Sequence, residues 1–155
     1  MTTEHSIISE NIGAINAGIW AAAKRAGRSP ESVKIIGVSK TVSPKRIEEA
    51  FSCGITEFGE NRVQELCKKY DILNIKCNWH MIGHLQKNKV KYILDKVSMI
   101  HSLDSMELAR EIQKRAKNTN RQVNALVQVN IAQEDSKFGI SPDETVDFIR
   151  EISEM

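Results

Sequence analysis

A chain of 155 residues suits one domain with a real core, and a single domain over residues 1–155 is expected. A formal net charge of +2, with basic residues spread along the chain, argues against nucleic acid or an anionic membrane surface as partner. Cys53, Cys67 and Cys77 form no Cys-x-x-Cys pair and are odd in number, which fits free, mostly buried thiols in a reducing cytoplasm. No apolar run approaches a membrane span, and Met1-Thr2-Thr3-Glu4-His5 lacks the basic region and apolar core of a signal peptide.

Ser6 to Ala26 reads as an amphipathic helix, with Ile8, Ile12, Ile15 and Ile19 at helical spacing and Gly27 as its stop. The run Val33–Lys40 follows. It is apolar and β-branched, the pattern of a strand buried on both faces in a parallel sheet. Ser43-Pro44 opens a helix that turns Ile47, Ala50 and Phe51 inward and ends at Gly54. A second strand spans Ile55–Phe58, with Gly59-Glu60-Asn61 just past its end. A helix from Arg62 to about Leu73 carries Val63, Leu66 and Tyr70 inward. The third strand is Trp79–Ile82, ending in Gly83-His84, and a basic helix runs from Asn88 to Asp95. The fourth strand is Ser98–Leu103; Asp104-Ser105 caps a helix to about Lys117. The fifth strand is Val123–Ile131, followed by Gln133–Gly139. Ser141-Pro142-Asp143-Glu144 caps a last helix reaching Met155.

Strand and helix alternate five times, which predicts a parallel α/β fold with right-handed crossovers. An eight-unit barrel needs at least about 200 residues. The pattern therefore fits either an open five-stranded sheet or the front part of a barrel. In both, ligands gather at the carboxyl ends of the strands. Lys40 stands at such an end and shares a face with Ile36 and Val38 by the period of two. A partly desolvated lysine favours the neutral amine, which attacks aldehydes to form a Schiff base. On spacing alone, an ordinary lysine reaching into solvent from a strand end is the commoner case. Asn61, His80, His84, Ser102 and Lys137 also fall at or near strand ends. His80 and His84 have the spacing of a helical metal pair, but they lie on a strand broken by Gly83. No suitably spaced third ligand exists, so no metal site is expected. His101, inside a strand, reads as a core or edge residue. Trp20 and Trp79 read as core, and Tyr70 and Tyr92 as packing residues. No G-x-G-x-x-G, Walker or G-x-S-x-G sequence occurs.

Ile36-Gly37-Val38-Ser39-Lys40-Thr41 resembles the cofactor-lysine segment of the pyridoxal phosphate homeostasis proteins. Phe58 to Glu65, Trp79 to Lys89, His101 to Asp104 and Lys137 to Gly139 resemble that family's later blocks, in family order. The resemblance implies the first five βα units of a TIM (β/α)8 barrel of the alanine racemase N-terminal type, preceded by a helix. It implies pyridoxal 5′-phosphate as cofactor, Lys40 as Schiff-base lysine, and Asn61, His80 and Ser102 as further cofactor-binding residues. It implies a role in intracellular vitamin B6 homeostasis with no established catalytic turnover; a racemase-type enzyme acting on amino acids is the alternative. The family holds the cofactor phosphate with a Ser-Met-Gly-Met-Ser loop and an Arg-Ile-Gly segment. Neither string occurs here, so the expectation is an incomplete barrel, with self-association through its open sheet edges.

Overall fold

The computed structural model describes residues 7–134 and 136–155. Met1–His5, the expected helix start at Ser6, and Asp135 lie outside the described residues. Helix α1 (Ile7–Arg25) ends at Gly27, which takes φ +65°. The chain then alternates through β1 (Gly37–Val38), α2 (Pro44–Ser52), β2 (Glu57–Glu60), α3 (Val63–Ile72) and β3 (Asn78–Met81). A 3₁₀ turn at Lys87–Lys89 leads into α4 (Val90–Ile93), and then come β4 (Val97–Leu103), α5 (Met106–Thr119), β5 (Asn124–Val127) and α6 (Thr145–Ser153). Ser105 caps α5, its hydroxyl accepting from Leu108 N–H at 3.3 Å.

All neighbouring strands pair in parallel, in the order β1-β2-β3-β4-β5. A doubly wound sheet reverses its strand order at a switch point; this one never does. Each strand is laid beside its predecessor, as in the wall of a barrel. The choice left open by the pattern is thereby settled in favour of the barrel front. One face of the sheet carries Phe58, Trp79, Met81 and Ile100, all buried under the helices with Ile47, Leu66, Val90, Ile93 and Leu108. Phe58 and Trp79 pack with ring centroids 5.9 Å apart. The opposite face is the lumen side of the wall.

Several expectations are corrected. Val33–Lys40 is not a strand buried on both faces: only Gly37–Val38 pairs, and Val38 is 53% exposed. β1 lies at the sheet edge, so it has hydrogen-bonding partners on one side only. β5 is likewise an edge strand and is shorter than Val123–Ile131; beyond it the chain bridges Val129 to Ile140. β2 starts and ends two residues later than expected, because Glu60 is accepted inside the strand through a buried lysine partner. Tyr70 does not point inward. The buried stripe of α3 is Val63, Leu66 and Lys69, and Tyr70 lies outside with Lys96 Nζ 5.2 Å from its ring centroid. Trp20 is exposed rather than core, as is Tyr92. The three thiols are half-buried, not mostly buried. Burial still pushes Cys77 up to about 11, so it is no thiolate at neutral pH. No described helix is long and apolar enough to cross a membrane.

The two edges carry a prediction. Val38 on β1 and Leu126 on β5 are both about half exposed, beside unpaired main-chain groups. The 155-residue chain is expected to sediment as a dimer or larger species. The Leu126→Lys variant should shift that distribution towards monomer. A monomeric parent in sedimentation velocity would refute edge pairing.

Candidate cofactor site

The register fixes which side chains share a level of the wall. Val38 pairs with Gly59, Gly59 with His80, His80 with Met99, and Met99 with Asn124. Two residues further on lie Lys40, Asn61, Ile82 and His101, at the carboxyl ends. Ser39, between Val38 and Lys40, is buried on the helix side, so Lys40 continues the lumen side. Gly59 confirms the facing of its neighbours. A Cβ there would meet Ile82 Cδ1 at 3.0 Å and Ile36 Cγ2 at 3.3 Å, so these two side chains close over its bare Cα.

Lys40 is exposed and Asn61 half-buried; neither side chain makes a hydrogen bond or ion pair among the described residues. Several residues around them are held in hydrogen-bonded networks. Behind Lys40, the buried Lys69 ammonium donates to Ser39 O at 2.6 Å and to carboxylate oxygens of Glu60 and Glu65, each at 2.7 Å. His80 sits one level deeper than Lys40. Its Nε2 lies 2.7 Å from Glu57 Oε2 and its Nδ1 2.9 Å from His101 Nε2. An ionised carboxylate only accepts, so His80 Nε2 donates to Glu57. With both rings neutral, His80 Nδ1 then accepts from His101 Nε2–H. Glu57 also accepts from Asn78 at 2.9 Å, and Lys34 Nζ stands 3.3 Å away.

Ser102 does not open into the lumen. It is fully buried, and its hydroxyl donates to Gly83 O at 2.6 Å. Gly83 in turn lies against the main chain of Asn61: a Cβ at Gly83 would overlap Asn61 O and stand 2.7 Å from Asn61 Cα. Ser102 therefore supports Asn61 from beneath, through Gly83. At the rim, His84 Nδ1 lies 2.9 Å from Asp104 Oδ2, and its ring stacks on Phe138 with centroids 3.6 Å apart. That stack brings the segment after β5, with Lys137, to the end of β3. Of the four residues predicted for the cofactor, the structure thus brings Lys40 and Asn61 to one level, with His80 below and Ser102 behind. His101 and Lys69 were missed. A lysine on the apolar stripe of a helix is the signal that should have marked Lys69; His101 follows from the two-residue period only once the register is known.

Strand order and the parallel wall define the front of a (β/α)8 barrel, with a lysine at the carboxyl end of β1. Residues 11–155 match the family model described as alanine racemase, N-terminal domain. The chain belongs to that family. It is 47% identical over 135 residues to a pyridoxal phosphate homeostasis protein of Aquifex aeolicus, across 86% of this chain and 59% of that relative. Among solved structures it is similar to a protein from Bifidobacterium adolescentis described as unknown, with a TM-score of 0.85 and 32% identity over 94% of this chain and 63% of that one. It is also similar to PipY of Synechococcus elongatus, whose structure has PLP bound: TM-score 0.77, 29% identity, 94% of this chain and 64% of PipY. The chain spans roughly three fifths of the length of the curated relatives it matches.

Two predictions follow from the geometry. Gly83→Ala forces its new methyl into Asn61 and should cost about 1–3 kcal/mol, the range for overpacking, read as a lower urea midpoint. The second concerns pH. Burial, then the neighbouring His80, hold His101 below its ordinary 6.5, so the unfolded chain binds the proton more readily. Stability should fall as pH drops below 6.5 and through the lower folded-state value. Burial pushes Glu57 up, but hydrogen bonds from His80, Asn78 and Lys34, with the Lys34 charge, outweigh it and leave the carboxyl below 4.5. Its contribution is complete above 4.5 and is lost as pH falls through the folded-state value. In melting temperature against pH, His101→Gln should remove the upper stage and leave the lower one.

Proposed function

We propose that this chain forms the Lys40-bearing part of a cytoplasmic pyridoxal 5′-phosphate-binding protein that serves vitamin B6 homeostasis without catalytic turnover. Residues 1–155 act in it as one domain. The observation that carries the reading is the Lys40 amine at the carboxyl end of β1 with the Asn61 carboxamide at that of β2, neither side chain having a hydrogen-bond partner among the described residues. The names of the relatives and the PLP-bound PipY structure support it.

The residues present fit the aldehyde end and ring of the cofactor. Lys40 supplies an amine, Asn61 an amide donor and acceptor, and Ile36, Val38 and Ile82 an apolar wall above side-chain-free Gly59. His80, locked between Glu57 and His101, holds the floor, and Ser102 holds Gly83 and hence Asn61 in place. In barrels, phosphate sites generally follow strands seven and eight, so the five strands described account for the aldehyde end alone. When bound, the cofactor supplies an electrophilic aldehyde carbon.

The racemase reading needs a second acid–base group facing Lys40. Tyr70 and Tyr92 lie on outer helix surfaces, which favours binding over turnover. Borohydride trapping with pyridoxal 5′-phosphate, followed by peptide mapping, should place the adduct on Lys40 and lose it in Lys40→Ala. Adduct chiefly on Lys45 or Lys137, or unchanged trapping in Lys40→Ala, would overturn the assignment. Interconversion of D- and L-alanine by the chain would restore the racemase reading.

A further inference from the structure

We propose that Lys69, Glu60 and Glu65 form a buried clamp that fixes the main chain on both sides of Lys40 and so presents its amine to the lumen. The positioning role extends the reading of Lys40 above, while the clamp itself stands on geometry alone.

On the N-terminal side, every polar atom of Ser39 is held. Its N–H donates to Gly59 O at 3.0 Å, its carbonyl accepts from Lys69 Nζ at 2.6 Å, and its hydroxyl donates to Glu60 Oε1 at 2.6 Å. The carbonyl also accepts from Val42 N–H at 2.9 Å, which closes a turn over Lys40 and Thr41. On the C-terminal side, Thr41 N–H donates to Glu65 Oε1 at 2.7 Å. That same Glu65 oxygen accepts from Lys69, so one ammonium ties both flanks of Lys40 together. Thr41 has φ +62°, a left-handed conformation that a β-branched residue adopts at a cost of about 1–3 kcal/mol. Such strain persists where the surroundings over-determine it. β1 supplies little restraint itself, since it has two paired residues at an open edge.

The chemistry needs this restraint. Condensation joins the Lys40 nitrogen to the aldehyde carbon as a C=N bond, and the carbonyl oxygen leaves as water with the two amine protons. An amine already aimed along the approach line gains over a freely rotating lysine by proximity alone. Lys45 and Lys68 lie within helices, and among the described residues Lys137 has a side-chain tether on one flank only, from Gln128 Nε2 to Phe138 O at 2.9 Å. The clamp is therefore a selectivity device among lysines. Lys69, Glu60 and Glu65 are positioning residues, since they touch the loop and not the reacting atoms.

The test uses the full chain with Glu65→Ala, and Glu65→Asp as a milder variant whose carboxylate is drawn back by one methylene. Glu65→Gln keeps an acceptor for Thr41 N–H and serves as the conservative rescue. Two readouts separate the clamp from the cofactor reading: amide exchange at Thr41 without any ligand, and the rate of borohydride-fixed pyridoxal 5′-phosphate labelling at each lysine. Glu65→Ala and Glu65→Asp should raise Thr41 exchange at least about tenfold and slow labelling of Lys40 by a similar factor. Labelling of Lys45 and Lys68 should stay unchanged, and Glu65→Gln should stay near the parent. A general loss of structure would alter all lysines and amides alike. Unchanged Thr41 exchange, or undiminished Lys40 labelling in folded Glu65→Asp, would overturn the clamp. A parent chain unlabelled at Lys40, with Thr41 exchange still responding, would instead sink the cofactor reading and leave the clamp standing.

Discussion

The ammonium of Lys69 is the constraint on which the open end of this sheet depends. Its side chain is 6% exposed, and it meets two carboxylates and one carbonyl. Desolvating a cation costs several kcal/mol, and the cost is offset here because every proton of the ammonium finds an oxygen. Glu60 depends on it in turn. That residue is completely buried; Oε1 takes bonds from both Ser39 and Lys69, while Oε2 has no hydrogen-bond partner. A buried carboxylate so placed is tolerable only beside a cation. Removing Lys69 alone would leave that charge uncompensated, which is far worse than never having built the pair. The cluster joins β1, β2 and α3, and so does for the edge strand what a second neighbour does for a central one.

The two faces of the sheet solve different problems. Towards the helices, apolar packing dominates, with the Lys69 cluster set within it. Towards the lumen, Glu57, His80 and His101 are ordered by hydrogen bonds more than by packing, beside the apolar Ile36, Val38 and Ile82. Glu57, His80 and His101 climb the wall from the start of β2 to the level of Lys40, each link at 2.9 Å or less. Because a carboxylate stands at the lower end, proton-bearing nitrogens point down the chain, and a ring nitrogen of His101 is left at the upper end.

Much of the architecture was legible in the sequence, and the reasons differ between elements. Strict alternation of β-branched runs with helical patterns fixes a parallel sheet, because parallel neighbours need crossovers. The choice between barrel front and open sheet was not legible, since it depends on strand order, which local pattern does not encode. β1 and β5 read as buried from composition, yet burial depends on a neighbour that hydropathy cannot see. Placing Lys40 and Asn61 at the lumen mouth needed only the two-residue period and the strand ends. Ser102 was expected at the mouth from its place near the end of β4 and from the family resemblance; which face it takes follows only from the register, which turns His101 to the lumen and Ser102 away from it. Tyr70 was read together with Val63 and Leu66 because an aromatic is the ordinary occupant of a buried helix stripe. The spacing Leu66 to Lys69, with Glu65 four residues before the lysine, contained the alternative.

The mouth of the barrel is assembled largely through main-chain contacts, and this bears on what its side chains are free to do. Asn61 is positioned by Gly83 pressing on its backbone, and Gly83 by the Ser102 hydroxyl on its carbonyl. Lys40 is positioned by Ser39 and Thr41, both held at main-chain atoms. A side chain that held its own backbone in place would be spent on that task. Here the neighbours take it over, so the Lys40 amine and the Asn61 carboxamide keep their full hydrogen-bonding capacity. Lys40 is exposed and Asn61 half-buried, so solvent can serve both groups and each remains available to a carbonyl compound that displaces it. The fold thus leaves these two side chains available where β1 and β2 end, while the main chain that carries them is held by their neighbours.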